Sequence, residues 1–390
     1  MNKKRNPPET GYSDAAKVAV QETNARVREM HRAIAAQSFD ILTRIPLVAG
    51  PAAVVQKAHD AIAGGVYAAI HHGTGGVLGA AASVERNLPD SAGEQPPGRL
   101  ASGVRSALNA AFGDHLEQAG NVLAIAMGIY RNGVMLALDR PALAAAFPAP
   151  GKRLCVFIHG LAFDEHCWQP AGADEVDFAR ALQADFGFTP LTLRYNTGLP
   201  IADNGARLAG LLEDLLAAWP EPVDDLLLIG HSMGGLIARA ACETGAASDL
   251  HWPQVTSMLV CLGSPHLGSP VERLGQAVTV ALDKHAITAP LGRIAAARSQ
   301  GVKDLRHGPG ANAATPHAIA LRFLGSTLTD DVDHPLAEWF GDGLVTMGSA
   351  TRHPVTGDVQ SARLGGIAHM ALTTEPRVYA QIKAWLAETR

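Results

Sequence analysis

The chain has 390 residues, 47% of them hydrophobic, with 32 basic against 37 acidic side chains and a formal net charge of −5. That length suits one full α/β domain with an additional element. The slightly negative balance supplies no basic field for nucleic acid, and five tryptophans and five tyrosines show no alternation with basic residues.

In chain order, the N-terminus Met1-Asn2-Lys3-Lys4-Arg5 carries positive charge with no apolar run behind it, so no secretory signal is expected. Residues 1–100 are rich in alanine and glycine and read as a helical extension. Val20, Val27, Ile34 and Ile41 recur every seven residues, one stripe of a helix that must stop before Pro46. Ala58, Ile62, Val66 and Ile70 mark a second helical face. No residue between Ala61 and Val84 is charged, a length that could cross a bilayer. Six glycines and the pair His71-His72 make it a poor hydrocarbon-facing segment, however. Packing against the catalytic domain is the reading adopted, with peripheral docking of residues 1–100 on a lipid or hydrophobic polymer as the alternative. Pro89–Gly98 is a linker by composition. Residues 101–151 form a bridging stretch of helical or hairpin segments.

From 152 to 390 strands and helices alternate as in a doubly wound, mostly parallel α/β sheet. Arg153–Ile158 is an apolar strand ending in His159-Gly160-Leu161. Leu226–Ile229 is a second apolar run, leading straight into Gly230-His231-Ser232-Met233-Gly234, and Gly235 to Cys242 continues with helical character. A serine so placed sits on a sharp strand-to-helix turn. Neighbouring chain passes so close that the flanking positions must be tiny, as Gly230 and Gly234 are, and the hydroxyl is held clear of the sheet. Ser232 is the candidate nucleophile, and it needs an imidazole to take its proton.

Residues 271–314 are too long for a simple crossover and carry Leu274, Val278, Ala281 and Leu282 at helical spacing, before a strand over His317–Leu324. The candidate acid is Asp342, in Gly341-Asp342-Gly343-Leu344-Val345 at the start of a strand-like Leu344–Thr346; Asp330, Asp331 and Asp333 are the alternatives. The candidate base is His369, in the apolar setting Gly365–Leu372 just before a last helix around Arg377–Leu386; His353 and His334 are its runners-up. Cys155 and Cys261 fall in predicted core strands, Cys242 on the helix after Ser232, and Cys167 near the chemistry. No pair has metal-ligand spacing or suggests a disulfide framework, so a reduced, cytoplasmic setting is expected.

Nucleophile, acid and histidine, in that chain order, resemble the α/β-hydrolase superfamily, and within it bacterial lipases and esterases. Gly341–Val345 is similar to the acid-bearing segment of bacterial lipases, and Cys261–Ser269 to the strand-to-loop segment after their nucleophile helix. Arg194–Leu199, with Asn204-Gly205, is similar to the segment before the helix that precedes the nucleophile. Arg298–Arg306 and Gly113–Leu116 are similar to parts of a poorly characterised group of bacterial lipase-like hydrolases. The likeness runs from about Asn109 to the C-terminus.

The resemblance implies an α/β-hydrolase domain over 152–390 with a lid at 271–314, and an oxyanion hole made by the backbone N–H groups of Leu161 and Met233. His159 would hold the oxyanion turn. It implies a carboxylic ester hydrolase working through Ser232, His369, Asp342 and an acyl-enzyme, on a small-molecule or lipid ester, with no metal or organic cofactor. An acyltransferase or thioesterase on the same triad, or a surface-binding protein with secondary hydrolase activity, is the alternative. The charged run Ala162-Phe163-Asp164-Glu165-His166 departs from the neutral loop expected after the oxyanion turn.

Overall fold

A computed structural model of the protein describes residue 56 and residues 99–118, 124–269, 300–305, 319–334, 337–352 and 357–388. The chain divides into two units, Met1–Val104 and Arg105–Arg390, and nearly all the described residues belong to the second. The expected helices of the extension, the uncharged stretch 61–84, most of the expected lid and His353 lie outside the described residues.

Strands β1 (Gly128–Arg131), β2 (Val134–Met135), β3 (Arg153–Ile158), β4 (Thr189–Arg194), β5 (Asp225–His231), β6 (Thr256–Leu262), β7 (Ala320–Thr327) and β8 (Val359–Gly365) form one sheet. Its order is β2-β1-β4-β3-β5-β6-β7-β8. Neighbours from β4 through β8 pair in parallel, while β1 runs antiparallel to both β2 and β4. This is the α/β-hydrolase fold that the motifs led us to expect, with the 128–135 hairpin forming its outer edge.

Among the described residues the helices are α1 (Arg99–Gln118), α2 (Arg140–Ala146), α3 (Phe178–Phe186), α4 (Ile201–Ala218), α5 (Met233–Ala247), α6 (Gln300–Asp304), α7 (Ala337–Phe340), α8 (Met347–Thr351) and α9 (Pro376–Glu388). None of the described helices is long and apolar enough to cross a membrane.

An unbroken apolar run such as Leu226–Ile229 makes sense only in a strand covered on both faces, and each of its residues is fully buried. Side chains alternate between the faces. Leu226 and Leu228 pack with Leu208, Leu212 and Leu236 of α4 and α5. Leu227 and Ile229 pack with Phe178 and Leu182 of α3 and with Ile382 and Trp385 of α9. The chain moves outward from β3 to β4, then returns to place β5 on the other side of β3. The carboxyl ends of β3 and β5 therefore diverge at a topological switch point, where open α/β sheets bind their ligands.

Two expected strands are corrected. Leu344–Thr346 is not a strand: the Asp342 carboxylate takes the N–H groups of Leu344 and Val345 (3.0 and 2.8 Å), and Thr346 caps α8 through the N–H of Ser349. Backbone donors bound by a nearby side chain cannot also serve a ladder. The strand expected over His317–Leu324 runs over Ala320–Thr327 instead. The expected strand ended at Leu324, yet Gly325, Ser326 and Thr327 continue it and all three are buried. Gly325 lies against Met347, Ala350 and Thr351 of α8, and that cover lets a glycine, ordinarily a poor strand former, carry β7 onward.

Candidate active site

Ser232 lies between β5 and α5 with φ 54° and ψ −123°, a left-handed backbone that a residue with a Cβ holds only under strain. The surroundings enforce it. A Cβ on Gly230 would lie 2.5 Å from the Gly235 backbone, and one on Gly234 would lie 2.3 Å from the Ile158 carbonyl oxygen. The turn is thus pressed against the end of β3, and the Ser232 N–H donates to the Leu262 carbonyl (2.8 Å). Ser232 itself is half-buried.

His369 and Asp342 are both nearly inaccessible. The His369 Nδ1 lies 2.7 Å from the Asp342 Oδ2, and the His369 N–H donates to the Asp342 carbonyl at 3.0 Å. With Oδ1 accepting from Leu344 and Val345, the carboxylate is fixed at both oxygens. A bonded Nδ1–H leaves Nε2 as the free lone pair, the form a proton acceptor needs. A Cβ on Gly263 would fall 3.1 Å from Asp342 Oδ2 and 3.2 Å from His369 Cε1, so the backbone just after Leu262 lies flat against the pair. The same Leu262 carbonyl receives the Ser232 amide. Ser232, Asp342 and His369 are therefore gathered at the carboxyl ends of β5, β6 and β7.

The alternative acids are placed elsewhere. Asp333 is exposed and pairs with Arg363, Asp331 turns its own loop by accepting from the Asp333 N–H, and Asp330 packs its backbone against Gly365. His334 lies on that same loop.

Gly160, on the turn after β3, comes so close to Ser232 that a Cβ there would sit 3.0 Å from the Ser232 Cβ. Beyond Leu161, the Ala162 N–H is taken by Thr197 Oγ1 (3.3 Å) and the Phe163 N–H by the Gly160 carbonyl (3.3 Å). Met233 opens α5, where first-turn N–H groups lack a carbonyl within the helix. His159 braces the turn: its Nδ1–H donates to the Gly160 carbonyl (2.9 Å), its ring stacks on Tyr195 at 4.4 Å, and its carbonyl accepts from the Tyr195 hydroxyl (2.8 Å). Burial, only partly offset by the Gly160 bond, lowers its pKa to about 4.

The charged run after this turn has a structural account. Asp164 caps a short 3-10 helix over Glu165–Trp168 through the His166 N–H. Glu165 forms a bidentate pair with Arg194, and both side chains are almost wholly buried. The Arg194 guanidinium also lies over the Tyr130 ring at 4.3 Å. Asp164, Glu165 and His166 bring possible metal ligands within 4.8 Å of one another. Arg194 already neutralises Glu165, however, and the His166 ring bonds Asp164 (2.9 Å). The sequence reading missed the Arg194–Glu165 brace, although a charged run abutting a core strand calls for a buried counter-ion. Cys155, Cys242 and Cys261 are buried, which pushes their thiols above the ordinary range, to about 12 for Cys261.

Residues 211–286, which include Ser232, match the family model described as PGAP1-like alpha/beta domain. Among solved structures the chain is similar to Bacillus licheniformis lipase BlEst2 in its propeptide form, with 20% identity, 61% of this chain and 51% of that chain covered, and a TM-score of 0.46. For the mature form of BlEst2 the values are 19% identity, 61% and 92% coverage, and 0.43. For Aspergillus fumigatus lipase B they are 14%, 63%, 57% and 0.38. The chain thus spans about half the length of the BlEst2 propeptide form. No curated protein matches the sequence.

Proposed function

We propose that the protein hydrolyses carboxylic esters through Ser232, His369 and Asp342. The observation that carries this reading is a strained serine on the β5–α5 turn and, at the same end of the sheet, an imidazole whose Nδ1 lies 2.7 Å from a buried carboxylate. In the proposed reaction the Ser232 hydroxyl attacks the ester carbonyl carbon while His369 Nε2 takes its proton. Asp342 holds the Nδ1–H and stabilises the imidazolium. The oxyanion lies against the N–H groups of Leu161 and Met233. Collapse breaks the bond to the alkoxide, which leaves with the proton from His369. Water then attacks the acyl-enzyme, gives a proton to His369, and releases the acid as Ser232 regains its hydrogen.

The test compares wild type with Ser232→Ala on p-nitrophenyl esters of short and long acyl chains. The variant should fold normally by circular dichroism and lose turnover by a factor on the order of 10⁶. Ester cleavage by the alanine variant at the wild-type rate would overturn the reading. Thioesters and alcohol acceptors offered alongside decide between hydrolysis and acyl transfer.

A further inference from the structure

Strand β5 ends on a residue that this chemistry does not use. His231 is fully buried, its ring centroid 4.7 Å from that of His369 and 6.4 Å from that of Trp168, which it meets edge-on. Its Nε2 lies 3.0 Å from the backbone carbonyl oxygen of His369. A carbonyl oxygen only accepts, so Nε2 carries the hydrogen and Nδ1 is a bare lone pair. Nδ1 is buried without a partner and faces Gly160, where a Cβ would come within 3.2 Å. A second hydrogen on Nδ1 would have nothing to bond. Burial, with His369 nearby, accordingly holds the ring far below the ordinary imidazole range, so it stays neutral.

The loop leading to His369 is tied on one side by backbone bonds. Gly366 donates to the Thr329 carbonyl (2.9 Å), Ile367 to Thr327 (3.0 Å) and His369 to Asp342 (3.0 Å). All three run toward the β7 side of the site. The bond from His231 is the tie toward β5, and His231 is covalently next to Ser232. We infer that His231 is a positioning residue: its Nε2–H, bonded to the His369 carbonyl, sets how far the imidazole stands from the nucleophile-bearing turn. This rests on the reading of Ser232 and His369 as nucleophile and base. It accounts for a histidine at the second position of Gly230-His231-Ser232-Met233-Gly234, where any side chain of similar size could fill the space.

Two variants separate the bond from the volume. His231→Phe keeps a flat ring and loses the donor, while His231→Gln places an amide nitrogen near the position of Nε2. On a p-nitrophenyl ester, the Phe variant should lose kcat by a factor on the order of 10², the scale of a small misplacement of a reacting group. KM should change less than about threefold, since substrate contacts are untouched. The Gln variant should recover kcat to within about tenfold of wild type. Wild-type kcat in the Phe variant, or equal impairment of both variants, overturns the inference. Nitrogen-15 shifts of the His231 ring test the bond whatever the activity: an Nε2–H tautomer supports it and an Nδ1–H tautomer overturns it. Ester cleavage by Ser232→Ala would instead remove the functional reading, which keeps the two failures apart.

Discussion

Replacing Asp342 by asparagine changes almost nothing in shape and should remove most of the activity. Asp342 Oδ1 accepts from two backbone N–H groups, Leu344 and Val345. The asparagine carbonyl must take that place, because the amide nitrogen cannot accept. The NH2 group then occupies the Oδ2 position, 2.7 Å from His369 Nδ1. Two donors cannot face each other, so His369 shifts its hydrogen to Nε2 and presents Nδ1 as the acceptor. In that tautomer Nε2 can no longer take the serine proton. The same substitution in a serine-protease triad lowers turnover by about 10⁴, equivalent to roughly 5.5 kcal/mol of transition-state stabilisation. We expect a loss of that order in kcat on a p-nitrophenyl ester, with an unchanged circular dichroism spectrum because every backbone bond survives. The parallel Asp333→Asn variant removes an exposed carboxylate paired with Arg363 and should stay within about twofold of wild type, as surface ion pairs contribute little. Wild-type turnover in Asp342→Asn, with severe loss in Asp333→Asn, would refute the reasoning and move the acid to the cluster.

The remaining predictions concern stability. Glu165→Gln leaves the Arg194 charge buried without its counter-ion and should cost about 3–5 kcal/mol, read as a lower urea midpoint; a change below about 1 kcal/mol would mean that water or another group reaches Arg194. His159 has a folded pKa of about 4 against 6.5 when free, so the unfolded chain binds its proton first. The stability from keeping this ring neutral is complete above pH 6.5 and is lost as pH falls from 6.5 toward 4, by roughly 3 kcal/mol in all. Urea midpoints at pH 8, 6 and 4.5 should fall in that window, and His159→Asn should flatten the fall; an equal slope in the variant would refute the assignment.

What could be read from the sequence was local. The strand, turn and helix around Ser232 follow from neighbours a few positions apart, because an apolar run needs cover on both faces and a tight turn needs Gly230 and Gly234. Arg153–Ile158 and the last helix were legible for the same reason. Leu344–Thr346 was misread because local periodicity does not reveal that an aspartate side chain has already taken the backbone donors. The extent of β7 was misread because α8 supplies burial that Gly325, Ser326 and Thr327 do not advertise.

Four aspartates within thirteen positions, Asp330, Asp331, Asp333 and Asp342, offered equivalent chemistry, and only the packed structure places one of them on His369. The contacts that position the site join residues far apart in the chain: Glu165 with Arg194, Ala162 with Thr197, His231 with His369. The sequence alone determined which chemical groups are present and where the backbone must turn sharply, since those depend on residue type and short-range sterics. Which group meets which was decided by the tertiary structure, since a hydrogen bond depends on a separation in space that sheet order and helix packing set.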